Sequence, residues 1–384
     1  MERVMLWDIS KTFFKIGITC WGGPAIVAQI KKEIVDKKKW INEEEFKETL
    51  GFCQMFPGPI AVQTSAHIGY RLRGVVGSFF AFCFYTLPTF IFMLLFSYLY
   101  FKFEKVPSFI NLFGYLEAVI VAIIIDAIWS MRKIAAPNFK GALLILLCGA
   151  AFIIKAPVIL VLFSSGLLGF LLFYKKGEST PFLKFEFRTL AKKAVFPFLA
   201  FISLLAVFIF AYKISPVLGE LGFRMAKVNL LAFGGGYTAV ALMFQESVLS
   251  TKWLTQSEFI NGLALGQITP GPVIITATFI GWKIGGLWGA LLATVAVLSP
   301  SYLILVFLSS FFKEISAIPF VKYFTTGLLC AFIGMLFQLL IYISSSGLIN
   351  FLSIVLAAVG VVLLRLKFSP IFLVVLSLIL SYFF

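Results

Sequence analysis

The sequence predicts an all-α polytopic membrane protein made of two inverted-topology repeats with broken or re-entrant helices. Three observations predict it. First, the chain is 384 residues long, 61% hydrophobic and only 13% charged, with 46 phenylalanines. A soluble core of that size could not hide so much apolar surface. Second, Gly22, Gly23, Glu33, Trp40, Glu45, Gln54, Pro57, Gly58 and Pro59 recur 213 positions later as Gly235, Gly236, Glu246, Trp253, Glu258, Gln267, Pro270, Gly271 and Pro272. At a shift of 212 the match resumes with Gly69/Gly281, Gly74/Gly286, Gly77/Gly289 and Pro88/Pro300, so the chain is a tandem duplication. Third, Gln54-Met55-Phe56-Pro57-Gly58-Pro59 and Gln267-Ile268-Thr269-Pro270-Gly271-Pro272 each lie inside an apolar segment. Proline lacks an N–H and clashes with the preceding turn, so a helix breaks and restarts there.

In order, the apolar segments run roughly over 10–30, 48–70, 74–101, 109–131, 139–155, 156–174, 194–212, 226–245, 259–281, 286–311, 324–345, 347–364 and 369–384, thirteen in all. They read as about nine full spans plus four broken segments, 10–30, 48–70, 226–245 and 259–281, each either crossing or dipping in and returning. Residues 1–175 form the N-terminal repeat, 176–225 a basic cytoplasmic linker and connecting helix, and 226–384 the C-terminal repeat. The linker holds Lys175, Lys176, Lys184, Arg188, Lys192 and Lys193 against Glu178 and Glu186, which places it in the cytoplasm. Arg132, Lys133 and Lys140, then Lys313 with Lys322 and Arg365 with Lys367, fit the same side. The unpaired segment 194–212 turns the second repeat upside down relative to the first. The loop Lys31, Lys32, Lys37, Lys38 and Lys39 has a twin that carries only Lys252, as expected if the two loops face opposite sides. Met1 to Lys11 lacks an apolar h-region, so no cleavable signal peptide is expected.

A formal net charge of +15 would suggest nucleic acid in a soluble domain; here the basic residues sit at helix ends and in loops, where they anchor the cytoplasmic side. Five cysteines stand singly in apolar stretches and read as small core residues. No cluster of His, Cys or acids has metal spacing. No Ser-His-Asp set, phosphate loop or dinucleotide motif appears in a workable context, so neither an enzyme nor a cofactor is expected.

The chemistry resides in the breaks. A helix restarting after Pro-Gly-Pro directs unsatisfied N–H groups and its positive dipole end at whatever precedes it. Two opposed ends at mid-membrane make an anion site. The expected substrate-binding residues are Gln54, Pro57, Gly58, Pro59, Gln267, Thr269, Pro270, Gly271 and Pro272, with the second breaks Gly22, Gly23, Gly235, Gly236 and Tyr237. Glu33 and Glu246 read either as a gate or proton carrier, or as helix-end charges. Arg71 and Lys283 follow the breaks at matched positions and either attract an anion or sit at the headgroups. Asn42-x-x-Glu45 and Thr255-x-x-Glu258 read as capping boxes. His67, the lone histidine, reads as a satisfied core residue.

Phe13-Phe14-Lys15-Ile16-Gly17 with Trp21-Gly22-Gly23-Pro24, then Pro57-Gly58-Pro59 and Ile68-Gly69-Tyr70-Arg71, resembles the chromate ion transporter family. Phe233-Gly234-Gly235-Gly236-Tyr237 and Gly266-Gln267-Ile268-Thr269-Pro270-Gly271-Pro272 resemble that family's C-terminal domain. The resemblance covers essentially the whole chain. It implies the long two-domain form: a multi-pass inner (plasma) membrane secondary transporter that moves chromate, usually outward, and confers chromate resistance. Sulfate is the isosteric second substrate. The alternative is a sulfate or other anion carrier working by uptake or exchange, or a passive anion channel. The expected partners are the chromate or sulfate oxyanion and the lipid bilayer, with no nucleic acid; a homodimer is the assembly left open.

Overall fold

The computed structural model describes residues 4–20, 23–106, 111–135, 138–174, 187–309, 319–347 and 351–383. Gly22, Lys313 and most of the basic linker lie outside the described residues. Every regular element among the described residues is helical. In chain order they are α1 (Leu6–Thr19), α2 (Gly23–Lys31) continuing into a π-helical turn (Lys32–Lys37), α3 (Glu43–Cys53), α4 (Ile60–Phe103), α5 (Leu116–Ala135), α6 (Phe139–Ile153), α7 (Val158–Phe173) and α8 (Phe187–Ile214). There follow α9 (Pro216–Leu231), α10 (Gly236–Phe244) continuing into a second π-helical turn (Gln245–Ser250), α11 (Gln256–Ile268), a 3₁₀ turn (Val273–Ile275), α12 (Thr276–Leu308), α13 (Pro319–Gly347), α14 (Phe351–Arg365) and α15 (Pro370–Phe383). Four stretches, Ile60–Phe103, Val195–Ile214, Val273–Leu308 and Tyr323–Ser345, are long and apolar enough to cross a membrane, and shorter apolar helices accompany them. The chain is an all-α polytopic membrane protein.

The duplication is visible in local geometry. Each copy passes from a short helix into a π-helical turn with a buried glutamate at its second position, Glu33 or Glu246. Each turn is then followed by a lysine with positive φ, 52° at Lys39 and 56° at Lys252. Both expected capping boxes are present. Asn42 Oδ1 accepts from Glu45 N while Glu45 Oε2 accepts from Asn42 N, and Thr255 and Glu258 exchange the same two bonds. Glu45 and Glu258 are thereby occupied at helix starts.

α4 and α12 are not straight rods. α4 reverses at Arg73 and Gly74 (φ 63°, ψ −149°), and α12 at Gly285 and Gly286 (φ 55°, ψ −139°). Gly69 lies against the carbonyl of Gly77, and Gly281 against that of Gly289. Residues eight apart are about 12 Å apart along a straight helix, so these contacts require the chain to double back. α3 and the first limb of α4 also run antiparallel. Arg71 pairs with Glu45 at 2.9 Å at one end, and Phe52 meets His67 with ring centroids 5.0 Å apart further in. Segment 48–70 is therefore a helical hairpin, with the Pro-Gly-Pro elbow at its tip. A first limb of about 13 residues spans only ~20 Å, short of a full crossing.

The chain forms two compact units, each drawing on both repeats: residues 1–99, 181–239 and 269–317, and residues 100–180, 240–268 and 318–384. In the first unit α9 lies along α12 and α8 along α9. His67 Nδ1 meets Ser309 Oγ at 3.0 Å, as a satisfied core histidine would. In the second unit α13 is the central helix, against α5, α6 and α7. Small residues allow that approach. Gly169 faces the backbone of Gly327, Gly334 faces Gly149, and Ser165 Oγ donates to Gly327 O at 2.6 Å. The five cysteines are free, and all but Cys83 are buried.

At Gly74 and Gly286 the space a methyl group would take is open, with no atom within 4 Å. Alanine at either should cost backbone strain alone, about 1–3 kcal/mol. Thermal unfolding in detergent should show a drop for both. Gly51→Ala, in an equally open but helical setting, should hold or gain stability.

Candidate functional site

The first unit contains both elbows, and each is held by the other repeat. Gly58 N donates to Ala232 O at 2.8 Å, and Gly271 N donates to Cys20 O at 2.9 Å. Ala232 and Cys20 are the residues at which α9 and α1 stop, one before each glycine break. The elbow glycines have φ of 103° and 110°, a region closed to most side chains. They also leave no room for one. A Cβ on Gly58 would strike Ser301, and a Cβ on Gly271 would strike Thr89. Ser301 and Thr89 each follow a matched helix proline, Pro300 and Pro88, again in the opposite repeat. The arrangement is thus reciprocal in both its hydrogen bond and its contact.

Around the second glycine break the helix starts come together. Ile60, first residue of α4, has its Cδ1 3.9 Å from the Cβ position of Gly235. Val273, first residue after the second elbow, has its Cβ 3.8 Å from the Cβ position of Gly236. The N-terminal ends of α4, α10 and the 3₁₀ turn leading into α12 therefore meet at adjacent glycines. Such ends carry unpaired N–H donors and partial positive charge. Among the described residues the only buried charged side chains are Glu33 and Glu246, so no buried lysine or arginine supplies that charge.

Polar side chains surround the elbows with groups left over. Asn229 is fully buried, and its Oδ1 accepts from Ser301 N at 2.7 Å, in place of an acceptor in the turn disturbed by Pro300. That bond fixes the amide's orientation and leaves Nδ2 as a donor without a partner. Gln63 donates from Nε2 to Pro57 O, bracing the first elbow, and leaves Oε1 unpaired. Thr89, which lies against Gly271, and Tyr85, one turn earlier on α4, each keep a buried and unpaired hydroxyl. Unpaired buried polar groups are costly, so each of these atoms is a candidate partner for a polar guest.

The residues expected from the sequence distribute unevenly over this arrangement. Pro57, Gly58, Pro59, Pro270, Gly271 and Pro272 are all buried in the elbows, and Gly235, Gly236 and Tyr237 line the second break. Gly23 opens α2; its partner Gly22 is not described. Thr269 is buried, with Oγ1 3.8 Å from Met93 Sδ. The two glutamines are unequal: Gln267 is 3% exposed with Nε2 unpaired, whereas Gln54 is exposed at the end of α3. Arg71 is engaged by Glu45 at 2.9 Å and Glu48 at 3.6 Å, and Lys283 is exposed. Glu33 lies between Lys37 at 2.7 Å and Lys15 at 3.5 Å. The Lys37 hydrogen bond, outweighing burial, holds its carboxyl below the usual carboxylate range. Sequence reasoning missed Asn229, Gln63, Thr89, Ser301 and Tyr85. The positions just after the repeated prolines would have pointed to Thr89 and Ser301. The other three carry no repeat signal. No group of His, Cys, Asp or Glu among the described residues is arranged to hold a metal ion.

A family model described as chromate transporter matches the chain twice, over residues 7–170 and 219–382. An uncharacterized transporter of Methanocaldococcus jannaschii is 33% identical over 98% of this chain and 93% of its own. The chromate transport protein of Cupriavidus metallidurans is 27% identical over 93% of this chain and 87% of its own. That of Pseudomonas aeruginosa is 31% identical over 76% and 69%. No solved structure matches the chain.

Two outcomes follow from this geometry. Gly58→Ala should unfold at lower temperature, and adding Ser301→Gly should recover the collision part of the loss but not the strain at φ 103°. Because the folded-state pKa of Glu33 is depressed, its contribution to stability is present above the ordinary carboxylate range and lost as pH falls through the folded value. Glu33→Gln should therefore lower stability at neutral pH and flatten its acid-side decline in a pH series of melting curves.

Proposed function

The chain belongs to the chromate transporter family, and on that premise we propose that it is a secondary active transporter of a tetrahedral divalent oxyanion, exporting chromate across the inner membrane. Family membership supports a multi-pass membrane protein and an anion transporter. The observation that carries the finer reading is the meeting of three helix starts at Gly235 and Gly236, with no buried lysine or arginine among the described residues. A dianion bound there is stabilised by backbone N–H groups, the Asn229 amide donor and the Thr89 and Tyr85 hydroxyls. Neutral donors hold an anion without the deep trap that a buried lysine would set, and a carrier must release what it binds.

In this reading the two repeats are inverted about the elbows and rock to open the site to one side at a time. The tie from each elbow to the other repeat moves both halves together. Glu33 acts as a gate latch between Lys15 and Lys37 rather than as a proton carrier, because its depressed pKa keeps it ionised at neutral pH. An inside-negative potential drives a dianion outward by about 4.6 kcal/mol per 100 mV, so export needs little ion coupling.

The test is transport in proteoliposomes with labelled chromate and sulfate, with and without potential and pH gradients. Chromate should move, sulfate should compete, and internal substrate should stimulate exchange; absence of that stimulation would identify a channel instead. Asn229→Asp, which aims a carboxylate at the dianion, should reduce transport at least about tenfold with the fold intact. Gln267→Ala should cost more than Gln54→Ala, in keeping with their burial. Wild-type transport by Asn229→Asp would overturn the proposed site.

A further inference from the structure

A cavity of about 910 Å³ lies in the second unit among α5, α6 and α13, and none of its lining residues belongs to the proposed anion site. Its walls are Ile125, Ile128, Ala142, Ile145, Leu146, Ile333, Phe337 and Leu340, and its polar end is Trp129 with Arg132. Its polarity runs in one direction. Arg132 sits in the last turn of α5, and Ala142, Ile145 and Leu146 lie in the first half of α6, which begins at Phe139. The end where α5 stops and α6 starts is thus the charged end. From Arg132 back to Ile125 the groove runs about 10 Å along α5, and every lining residue beyond the charged rim is apolar.

The rim carries excess positive charge. The Arg132 guanidinium lies 3.4 Å over the Trp129 ring, and no carboxylate among the described residues pairs with it. Arg365 approaches the same ring at 4.6 Å, but it is taken by Asp126 at 3.5 Å. Lys140 and Lys367 stand exposed near the ends of α6 and α14. Stacking on an indole orients a guanidinium and leaves its edge N–H groups free, the geometry that grips a phosphate with two hydrogen bonds. A tryptophan at that level also suits the boundary between headgroups and acyl chains.

We infer that this groove is a binding site for one anionic phospholipid, with its phosphate on Arg132 and an acyl chain along Ile125, Ile145, Leu146 and Phe337. The match is amphiphilic: a cationic, aromatic mouth at the membrane edge leads into a purely apolar slot. A protein partner would not need that gradient, and a free inorganic anion would not need the slot. Bound lipid would brace α13 against α5 and α6.

The test uses the full-length purified protein, stripped of lipid in detergent and then offered phosphatidylglycerol or phosphatidylcholine with identical chains. Retained lipid is counted by native mass spectrometry and stability is followed by thermal melting. Phosphatidylglycerol should be retained and raise the melting temperature, phosphatidylcholine should do neither, and inorganic phosphate alone should not stabilise. Arg132→Gln should reduce phosphatidylglycerol retention about fivefold, and Arg132→Lys should recover part of it. Leu146→Trp fills the slot while leaving Arg132 in place, and should also lose the lipid. Equal retention of the two lipids by the wild type, or wild-type retention by both Arg132→Gln and Leu146→Trp, overturns the assignment. Stabilisation by phosphate alone, or a change of oligomeric mass in Leu146→Trp without any lipid dependence, overturns it in favour of a bare anion site or a contact between two copies.

Discussion

The structure depends on a crossed pair of backbone hydrogen bonds: Gly58 N–H to Ala232 O, and Gly271 N–H to Cys20 O. Each joins the tip of one re-entry to the stopping point of a broken helix in the other repeat. Both donors and acceptors are backbone groups freed by helix breaks, and in a bilayer such groups have no water to turn to. Breaks that would be too destabilising one at a time satisfy each other in reciprocal pairs. That explains why all four interruptions come as a set, and why the elbows need glycine: Ser301 and Thr89 close against them so tightly that no Cβ fits.

The same reciprocity shapes the electrostatics. Beside the crossed bonds, Gly235 and Gly236 bring together the starts of α4, α10 and the 3₁₀ turn, the ends at which a helix carries its positive dipole. Elsewhere charge is kept to the margins. Arg71 is held by Glu45 and Glu48, Glu33 by Lys37 and Lys15, and Glu117 accepts from Ser257 Oγ at 3.2 Å. Among the described residues no lysine or arginine is buried. The two π-helical turns place Glu33 and Glu246 at the same second position, and in the first copy Lys37 of that turn and Lys15 of α1 lie against the glutamate.

What the sequence by itself determined is the architecture's grammar. Apolar length and composition required membrane helices, and the recurrence at 213 and then 212 required a duplication. Pro57-Gly58-Pro59 and Pro270-Gly271-Pro272 required breaks, while Asn42-x-x-Glu45 and Thr255-x-x-Glu258 required capped starts. These are local constraints of backbone chemistry, so they can be read residue by residue. Only the tertiary structure decided which break answers which. The partner of Gly58 is Ala232, 174 residues away, and no local pattern encodes that choice. It also separated positions that the repeat makes look equal: Gln267 is buried and Gln54 exposed, and Arg71 is tied to two glutamates. Asn229 was invisible beforehand for the same reason. A lone asparagine in an apolar turn acquires its role from the Ser301 N–H across the unit, and burial and pairing are properties of what the fold brings near, not of the residue's neighbours in the chain.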